Sequence, residues 1–288
     1  MQFVKFTNEL NEVIDFNIEG NYILASIEGT GNVSAIHNSI KNVYQNGARR
    51  TNTNLDVRYM KLNGTIKACN RSELARLKEY FCEVFNPLLN DGRLEYNAGN
   101  GTKYINTIAE DTPIFSEYNG DYVKFIVDLV CHDPFWHDFE LNEHVFSTPY
   151  TSTFQFPHSF NTPTFQMGYQ TETREFENTG GVRVPLLLEF EGGVKNVKFT
   201  NKTNGEWIEF KKKLNSNETL IINSGQGCKE IAIVDYLGNE RSGFSLLTFD
   251  CSTFIHLEKG KNIINFVAES DNSLAKVKIK WIPSYLGV

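Results

Sequence analysis

A boundary between two kinds of sequence lies at Tyr122-Val-Lys-Phe-Ile-Val-Asp-Leu-Val-Cys-His-Asp-Pro-Phe-Trp136. Apolar residues occupy every second position from Val123 to Cys131, and alternate residues of a strand point to opposite faces of its sheet. Pro134 lacks a backbone N–H and restricts Asp133 before it, so the strand is predicted to end near this point. The one convincing helical pattern lies before this run, and the patterns after it predict strands only.

The length of the chain favours two domains. Its 288 residues exceed an ordinary domain, whereas two domains of about 130 to 150 residues each are of common size. Residues 1–135 are predicted to form the first domain, and residues 136–288 a linker followed by the second domain. The composition is that of an ordinary globular protein, with 40% hydrophobic and 22% charged residues, and it indicates no activity.

Charge and cysteine content exclude several classes of protein. A net charge of -7 argues against non-specific binding of nucleic acid or anionic membranes, which requires clustered Lys and Arg. The five cysteines are widely spaced and include no CxxC pair, so neither a disulfide framework nor a structural zinc site is predicted, and reduced thiols in a cytosol fit best. The amino terminus does not have the pattern of a secretory leader, and no apolar run reaches membrane-spanning length.

The first domain is predicted to be a small β domain with one packed helix. Asn70, with Glu73 three residues later, resembles a capping box, and Leu74, Leu77 and Phe81 recur at helical spacing until Asn86-Pro87 ends the helix. Several short alternating runs predict strands on either side of it: Phe3–Phe6, Val13–Ile18, Tyr22–Ile27, Leu55–Met60, Leu62–Ile66, Leu94–Tyr96, Lys103–Ala109 and Pro113–Glu117.

A polar segment interrupts this domain from about residue 31 to residue 54. It contains little apolar sequence and many asparagines, so it is predicted not to bury itself and to be either a functional loop or a disordered one. Arg49 and Arg50, which are placed at its tip, are predicted to be solvated unless a partner covers them.

The second domain is predicted to be a β-sandwich after a linker. Residues 136–179 have weak periodicity, and we interpret them as mixed extended chain that the sequence assigns to neither domain. Beyond them, short strands recur at intervals of about eight to twelve residues between turn signals, a rhythm typical of a sandwich. The predicted strands are Leu186–Phe190, Val194–Asn201, Trp207–Phe210, Thr219–Asn223, Glu230–Tyr236, Asn262–Ala268 and Lys276–Trp281.

Candidate chemical sites are weak. The densest polar cluster combines Cys131, His132, Asp133 and His137, with His144 beyond, but the spacing fixes no metal geometry, and solvated histidines are the favoured interpretation. There is no Gly-x-Ser-x-Gly elbow and no complete dinucleotide or phosphate loop. We therefore predict no catalytic residue, no metal and no cofactor. Trp207 is a candidate sugar-stacking aromatic, although a core or rim position is more common for such a residue.

Several short runs are distributed over nearly the whole chain: Leu62-Asn-Gly-Thr-Ile66, Gly92-Arg-Leu-Glu-Tyr96, Cys131-His-Asp-Pro-Phe135, Phe176-Glu-Asn-Thr-Gly-Gly-Val-Arg-Val-Pro185, Phe190-Glu-Gly192, Val197 to Trp207, Leu257-Glu-Lys-Gly-Lys-Asn-Ile263 and Tyr285-Leu-Gly287. In order and spacing, these runs resemble the distal tail protein family of long-tailed, siphovirus-type phages. The resemblance implies a mainly β fold, with a split-barrel-like first domain and a galectin-like carboxy-terminal sandwich.

The resemblance also implies a function. Such a protein is a structural hub, not an enzyme: a hexameric ring that joins the tail tube to the baseplate or tail tip and keeps a lumen open for DNA and the tape measure protein. The implied partners are further copies of the chain, the major tail tube protein, a tail-tip or tail-associated lysin protein, and baseplate or receptor-binding proteins, with no sequence-specific nucleic acid and no membrane. The implied location is the virion tail tip, from an active phage or a prophage, after assembly in the host cytoplasm. The segment 31–54, with Arg49 and Arg50, corresponds to a belt around the neighbouring subunit.

Two other functions stay open at the level of sequence. The galectin-like sandwich could bind host cell-wall polysaccharide, with Trp207 as the contact. An enzyme would need an unrecognised site around His132, Asp133 and His137, and it ranks third.

Overall fold

Strands make up most of the structure, a computed structural model that describes residues 3–44, 46–116, 120–147, 169–191, 194–248, 253–270 and 276–288. The chain divides into two compact units. Unit 1 comprises Met1–Phe139 together with Tyr285–Val288, and unit 2 comprises Glu140–Ser284. The described residues include one α-helix, which belongs to unit 1. The predicted mainly β fold with one helix is confirmed.

Unit 1 is built on a branched antiparallel sheet whose main path runs β2-β1-β7-β8-β10-β6-β3, with β9 on β10 and β11 on β8. A separate pair, β4-β5, stands outside that sheet. The elements are β1 (Phe3–Thr7), β2 (Val13–Phe16), β3 (Tyr22–Glu28), β4 (Ala35–Ile40), β5 (Arg49–Leu55), β6 (Arg58–Lys67), α1 (Arg71–Val84), β7 (Gly92–Asn97), β8 (Thr102–Ala109), β9 (Ile114–Phe115), β10 (Tyr122–Cys131) and β11 (Trp136–Asp138).

Strand β10 is the run with which the sequence analysis began, and its predicted alternation is confirmed. It pairs with β6 over ten positions, from Tyr122↔Lys67 to Cys131↔Arg58. The five alternate residues from Val123 to Cys131 are each at most 1% exposed. Strand β6 lies so close to its neighbours β10 and β3 that a Cβ on Gly64 would lie 2.4 Å from Phe125 Cζ of β10 and 2.4 Å from the carbonyl oxygen of Ile23 of β3. This close approach explains why glycine occupies an interior strand position.

The helix α1 is capped as predicted. Asn70 Oδ1 accepts from the backbone N–H of Glu73 at 2.9 Å, and Glu73 Oε2 accepts from the backbone N–H of Cys69 at 2.9 Å. These two bonds satisfy donors that an uncapped helix leaves without partners. Phe81 is fully buried and packs against Phe85 and Phe125, so the apolar stripe of the helix completes the core of unit 1.

Unit 2 contains two larger antiparallel sheets, ordered β12-β23-β15-β18-β19-β20 and β13-β22-β16-β17, whose apolar side chains share one core. This is the predicted sandwich. The elements are β12 (Asn142–Ser147), β13 (Tyr169–Asn178), β14 (Val184–Pro185), β15 (Leu187–Glu191), β16 (Val194–Asn201), β17 (Trp207–Lys213), β18 (Glu218–Asn223), β19 (Glu230–Asp235), β20 (Glu240–Ser242), a 3₁₀ turn (Phe244–Leu246), β21 (His256–Leu257), β22 (Gly260–Ser270) and β23 (Lys276–Trp281). The last strand, β24 (Ser284–Tyr285), pairs with β11 in the sheet of unit 1 instead.

The stretch that the sequence analysis interpreted as a linker, residues 136–179, contains strands. Its first residues form β11 of unit 1, where Trp136 is fully buried. Strand β12 pairs with β23, and β13 pairs with β22 over ten positions. Residues 148–168 lie outside the described residues. The predicted boundary at residue 135 thus lies four residues before the last residue of the main segment of unit 1, Phe139.

The end of the chain returns to unit 1. Strand β24 pairs with β11, the hydroxyl of Tyr285 donates to Asp138 Oδ2 at 2.8 Å, and Val288 packs against the core of unit 1. Lys103 Nζ lies 3.7 Å from the centroid of the Tyr285 ring and 3.0 Å from Asp138 Oδ1. Residues 285–288, which the sequence placed with the sandwich, therefore complete the first unit.

Candidate assembly surface and its anchor

The polar segment 31–54 forms an antiparallel hairpin rather than an irregular loop. Strands β4 and β5 pair from Ala35↔Leu55 to Ile40↔Arg49, with an irregularity at Asn38. Side chains of the two strands bond each other, since His37 Nδ1 lies 2.9 Å from Thr53 Oγ1 and the hydroxyl of Thr51 donates to the carbonyl of Asn38 at 3.0 Å. All six residues of β4 are exposed, and Leu55 is the only residue of β5 that is partly covered. We call residues 35–55 the hairpin arm.

Apolar side chains of the hairpin arm lie in solvent. Ile36 is 47% exposed, Ile40 59%, Val43 82% and Tyr44 fully exposed. A two-stranded hairpin without a third strand or a covering surface is at best marginally stable in water. Exposed apolar groups grouped on such an element are typical of a surface that another molecule covers.

The hairpin arm is also basic in an acidic protein. Lys41, Arg49 and Arg50 are its charged residues, and no Asp or Glu lies between Glu28 and Asp56. Arg49 and Arg50 are exposed, and neither forms an ion pair within the ranges that the structure covers. Both predicted belt residues therefore present unneutralised positive charge beside apolar side chains.

The root of the hairpin arm is held by Arg58, the first residue of β6, which is fully buried. Its guanidinium donates to five backbone carbonyls, and each of its three nitrogens takes part. Nε donates to Pro134 at 2.9 Å; Nη1 donates to Gly29 at 2.7 Å, Thr30 at 3.1 Å and Asn32 at 3.3 Å; Nη2 donates to Leu286. One side chain thus joins the segment before the arm, the connection between β10 and β11, and the carboxy-terminal residues.

Two neighbours reinforce this anchor. Trp136 Nε1 donates to the carbonyl of Thr30 at 3.0 Å, and the backbone N–H of Asp56 donates to the carbonyl of Ser34 at 2.9 Å. The chain crosses so closely here that a Cβ on Gly287 would lie 3.0 Å from Gly31 Cα. The arm is therefore fixed at its base and exposed along its length.

The chemistry of arginine suits this anchor. Burial lowers the pKa of Arg58 from its ordinary value, but a guanidinium remains charged at neutral pH because its pKa begins above about 12. The planar group offers five N–H donors in a fixed fork, whereas a lysine ammonium offers three on a point charge. Several carbonyl dipoles replace the water that a buried cation loses.

The residues of the predicted polar cluster do not converge on one centre. His137 Nε2 lies 3.0 Å from Asp133 Oδ2, and burial raises the pKa of the Cys131 thiol to about 11. His144 belongs to unit 2, where it stacks on Trp281 with 5.4 Å between ring centroids. Within the described ranges no three His, Cys, Asp or Glu side chains form a group able to hold a metal ion.

Trp207, the candidate sugar contact, begins β17 at the edge of its sheet. Lys198 Nζ lies 4.4 Å from the centroid of its ring. A cation over one face of the ring competes with a sugar for that face. The lysines at 211 and 213 lie on this same edge strand, where charge discourages pairing with another sheet.

Sequence reasoning missed Arg58, although a signal was present. In the period of two along β6, Arg58 falls on the same face as Met60, Leu62 and Ile66, all of which are buried. A charged residue in phase with an apolar face indicates a buried and fully bonded cation.

No helix in the described ranges has both the length and the apolar character needed to cross a membrane.

Two family models match the chain. The phage tail protein RIFT-related domain matches residues 11–131, and the C-terminal domain of the siphovirus-type tail component matches residues 179–285. A comparison with curated proteins gave no match.

Solved structures share the fold over nearly the whole chain. The crystal structure of the Dit protein of SPP1, described as a paradigm of the hub adsorption apparatus in phages that infect Gram-positive bacteria, matches with a TM-score of 0.65 at 10% identity and covers 98% of both chains. A chain of the phage p2 baseplate in its activated conformation with strontium matches with a TM-score of 0.51 at 13% identity, over 97% of this chain and 98% of that one. At such identities these likenesses establish the fold.

Proposed function

Since this chain belongs to the distal tail protein family of siphovirus-type phages, we propose that it acts as a hexameric hub whose copies are joined through the hairpin arm. It is a structural component of the phage tail, at the baseplate or tail tip. In the proposed ring, each arm reaches the neighbouring copy, and the ring leaves a lumen for DNA and the tape measure protein.

The exposed hairpin arm carries this proposal. It keeps Ile36, Ile40, Val43 and Tyr44 in solvent and places Lys41, Arg49 and Arg50 beside them. Burying one such aliphatic side chain is worth roughly 1.5–3 kcal/mol. An arm of one copy on a different surface of the next is a head-to-tail contact, and such contacts close into a ring when the rotation permits.

The anchor at Arg58 supports the same function. An arm that searched many directions would lose conformational entropy on docking, and fixing its base reduces that loss. The five bonds of the guanidinium determine the direction in which the arm leaves unit 1. A pre-set direction is what a closed ring with a fixed number of copies requires.

The proposed partners follow from this position. One face of the ring meets the major tail tube protein, and the other meets a tail-tip or tail-associated lysin protein and the baseplate or receptor-binding proteins. Assembly takes place in the host cytoplasm before the virion is complete. Binding of wall polysaccharide by the sandwich is less favoured, because Lys198 lies over one face of the Trp207 ring and competes there with a sugar.

The experiment is the solution mass by light scattering of the full chain and of a variant that lacks residues 35–52, each alone and with the tail tube protein. We expect a hexamer for the full chain, alone or on the tube, and a monomer for the deletion. A hexamer that survives the deletion would refute the role of the arm. A full chain that stays monomeric with the tube protein present would refute the hub.

Circular dichroism and thermal unfolding provide the control. The deletion removes β4 and most of β5 but no residue of the unit 1 core, so the variant should keep the strand signal of the remaining sheets and its unfolding temperature. A matched variant, Leu237→Ser, changes an exposed leucine of unit 2 and should leave the mass of the full chain unchanged.

A further inference from the structure

Unit 1 presents a second exposed apolar surface, formed by two loops that lie side by side. One is the β1–β2 turn, Asn8–Glu12, and the other joins α1 to β7, Asn86–Asp91. Leu10 at the first tip is 62% exposed, and Leu88 at the second is 91% exposed. We call these two loops the loop patch.

Hydrogen bonds hold the two loops together. Glu9 Oε2 accepts from the backbone N–H of Asn90 at 2.9 Å, and Glu9 Oε1 accepts from the side-chain amide of Asn90 at 2.7 Å. Asn8, which is buried, accepts from the backbone N–H groups of Leu10 and Glu12 at 3.0 and 2.9 Å. The two leucines therefore project from turns whose polar groups are satisfied, and a partner would find them already ordered.

The loop patch is acidic. Glu9, Glu12 and Asp91 flank the two leucines in the sequence. Within the described part of the chain, the Glu9 carboxylate accepts from Asn90 and the Glu12 carboxylate accepts from Asn8, and both donors are neutral amides. The bonds from Asn90 lower the pKa of Glu9, so that carboxylate stays ionised at neutral pH. The surface thus combines apolar side chains with uncompensated negative charge.

These properties are the complement of those of the hairpin arm. The arm presents Ile40, Val43 and Tyr44 beside three cations and no acid. We propose that the loop patch of one copy receives the hairpin arm of the next copy, with the arm's apolar side chains on Leu10 and Leu88 and with Arg49 and Arg50 near the carboxylates. This inference rests on the proposed ring and adds the receiving surface.

Other exposed apolar groups fit the arm less well. Ile114 and Ile126 pair across β9 and β10, but the exposed Lys124 stands on the same face of β10 as Ile126, and a like charge opposes the basic arm. In unit 2, a single turn carries Tyr236 and Leu237, and no second loop is bonded to it among the contacts that the Asp235 carboxylate makes with described residues. That carboxylate accepts from the backbone N–H groups of Leu237 and Asn239 within the same turn. The loop patch alone among these three surfaces combines two bonded loops with unpaired acids.

Photo-crosslinking from the arm tests the contact directly. The full chain is prepared with p-benzoyl-phenylalanine in place of Tyr44, mixed with an isotope-labelled wild-type chain, irradiated and digested. A crosslink that joins an unlabelled peptide to an isotope-labelled peptide must connect two different copies of the chain. We expect them to join residue 44 to peptides that contain Leu10 or Leu88.

The outcomes separate this inference from the hub itself. Crosslinks between copies that fall on other surfaces would overturn the loop patch and leave the hub standing. No crosslink between copies, in a chain that also stays monomeric with the tail tube protein, would overturn both.

Paired substitutions supply a second readout. Leu88→Ser should weaken self-association at least about tenfold, since a leucine contact is lost, whereas the matched Leu237→Ser should not. Asp91→Lys and Arg50→Glu should each weaken association, and the double variant should recover most of the loss if the two charges meet. Two results would refute the assignment. One is a double variant in which the effects of Asp91→Lys and Arg50→Glu simply add; the other is an equal effect of Leu88→Ser and Leu237→Ser on self-association.

Discussion

Arg58 donates through Nη2 to the backbone carbonyl of Leu286, a residue 228 positions further along the chain. The same guanidinium bonds Gly29, Thr30 and Asn32 immediately before the hairpin arm. The base of the arm and the carboxy-terminal residues therefore depend on one side chain.

We expect Arg58→Lys to loosen this anchor. A lysine cannot reach all five carbonyls, and buried acceptors left without donors should lower the free energy of opening of this region by about 2–4 kcal/mol. Native-state hydrogen exchange at residues 29–34 and 56–67 measures the change. Arg76→Lys on the exposed face of α1 is the matched control and should have an effect below about 0.5 kcal/mol. Equal exchange in the two variants would contradict the anchoring role.

Removal of residues 286–288 tests the other end of this connection. Arg58 would lose its Leu286 acceptor, and the Val288 contact with the core would disappear. Hydrogen exchange should become faster at Gly29–Asn32 and remain unchanged in β18 and β19 of unit 2. Protection that is unaltered near Gly29 would show that the terminal residues do not support the arm.

Gly64→Ala should destabilise unit 1. The new methyl group would lie 2.4 Å from both Phe125 Cζ and the Ile23 carbonyl oxygen, and overpacking of this kind costs about 1–3 kcal/mol or more. Gly31→Ala is the control, because its added Cβ meets nothing within 4 Å. Thermal unfolding should show a lower transition temperature for the first variant alone, and similar temperatures for both would argue against the close strand contact.

Unit 2 should lose stability as the pH falls through the range where histidine titrates. Burial, followed by the nearby Arg183, lowers the pKa of His256 in the folded state. The unfolded chain therefore takes up a proton first, near pH 6.5, and stability is lost from that pH down to the folded-state pKa. The urea concentration at the midpoint of unfolding should decrease in the wild type as the pH is lowered from 8 to 5. It should decrease less in His256→Gln. Retention of the wild-type slope in His256→Gln would contradict the prediction.

Residues whose structure is set by near neighbours were predicted well from the sequence. The alternation from Val123 to Cys131 follows from burial of one face, and the cap of α1 involves Asn70 and Glu73, only three residues apart. Both signals are short-range. The same is true of the turns that separate the strands of the sandwich.

Features that depend on distant pairing were missed. Strand β13 shows little alternation of apolar and polar residues, because it contains the polar run Glu172, Thr173, Arg174 and Glu175. The strand forms because it pairs with β22. The hairpin arm is exposed on both faces, so no alternation reveals its strands. The acceptors of Arg58 come from three separate parts of the chain, which no local pattern can indicate.

The anchor at Arg58 also bears on the order of events during translation. Domains generally fold as units with the amino-terminal one first as the chain emerges, yet one acceptor of Arg58 belongs to Leu286 and is made after all of unit 2. Until Leu286 has been synthesised and has emerged from the ribosome, the guanidinium of Arg58 therefore lacks one of its five acceptors, and the base of the arm is incompletely fixed. A polypeptide that stops before Leu286 would lack this acceptor throughout its lifetime, so the base of its hairpin arm would be held by fewer hydrogen bonds than in a chain that contains Leu286.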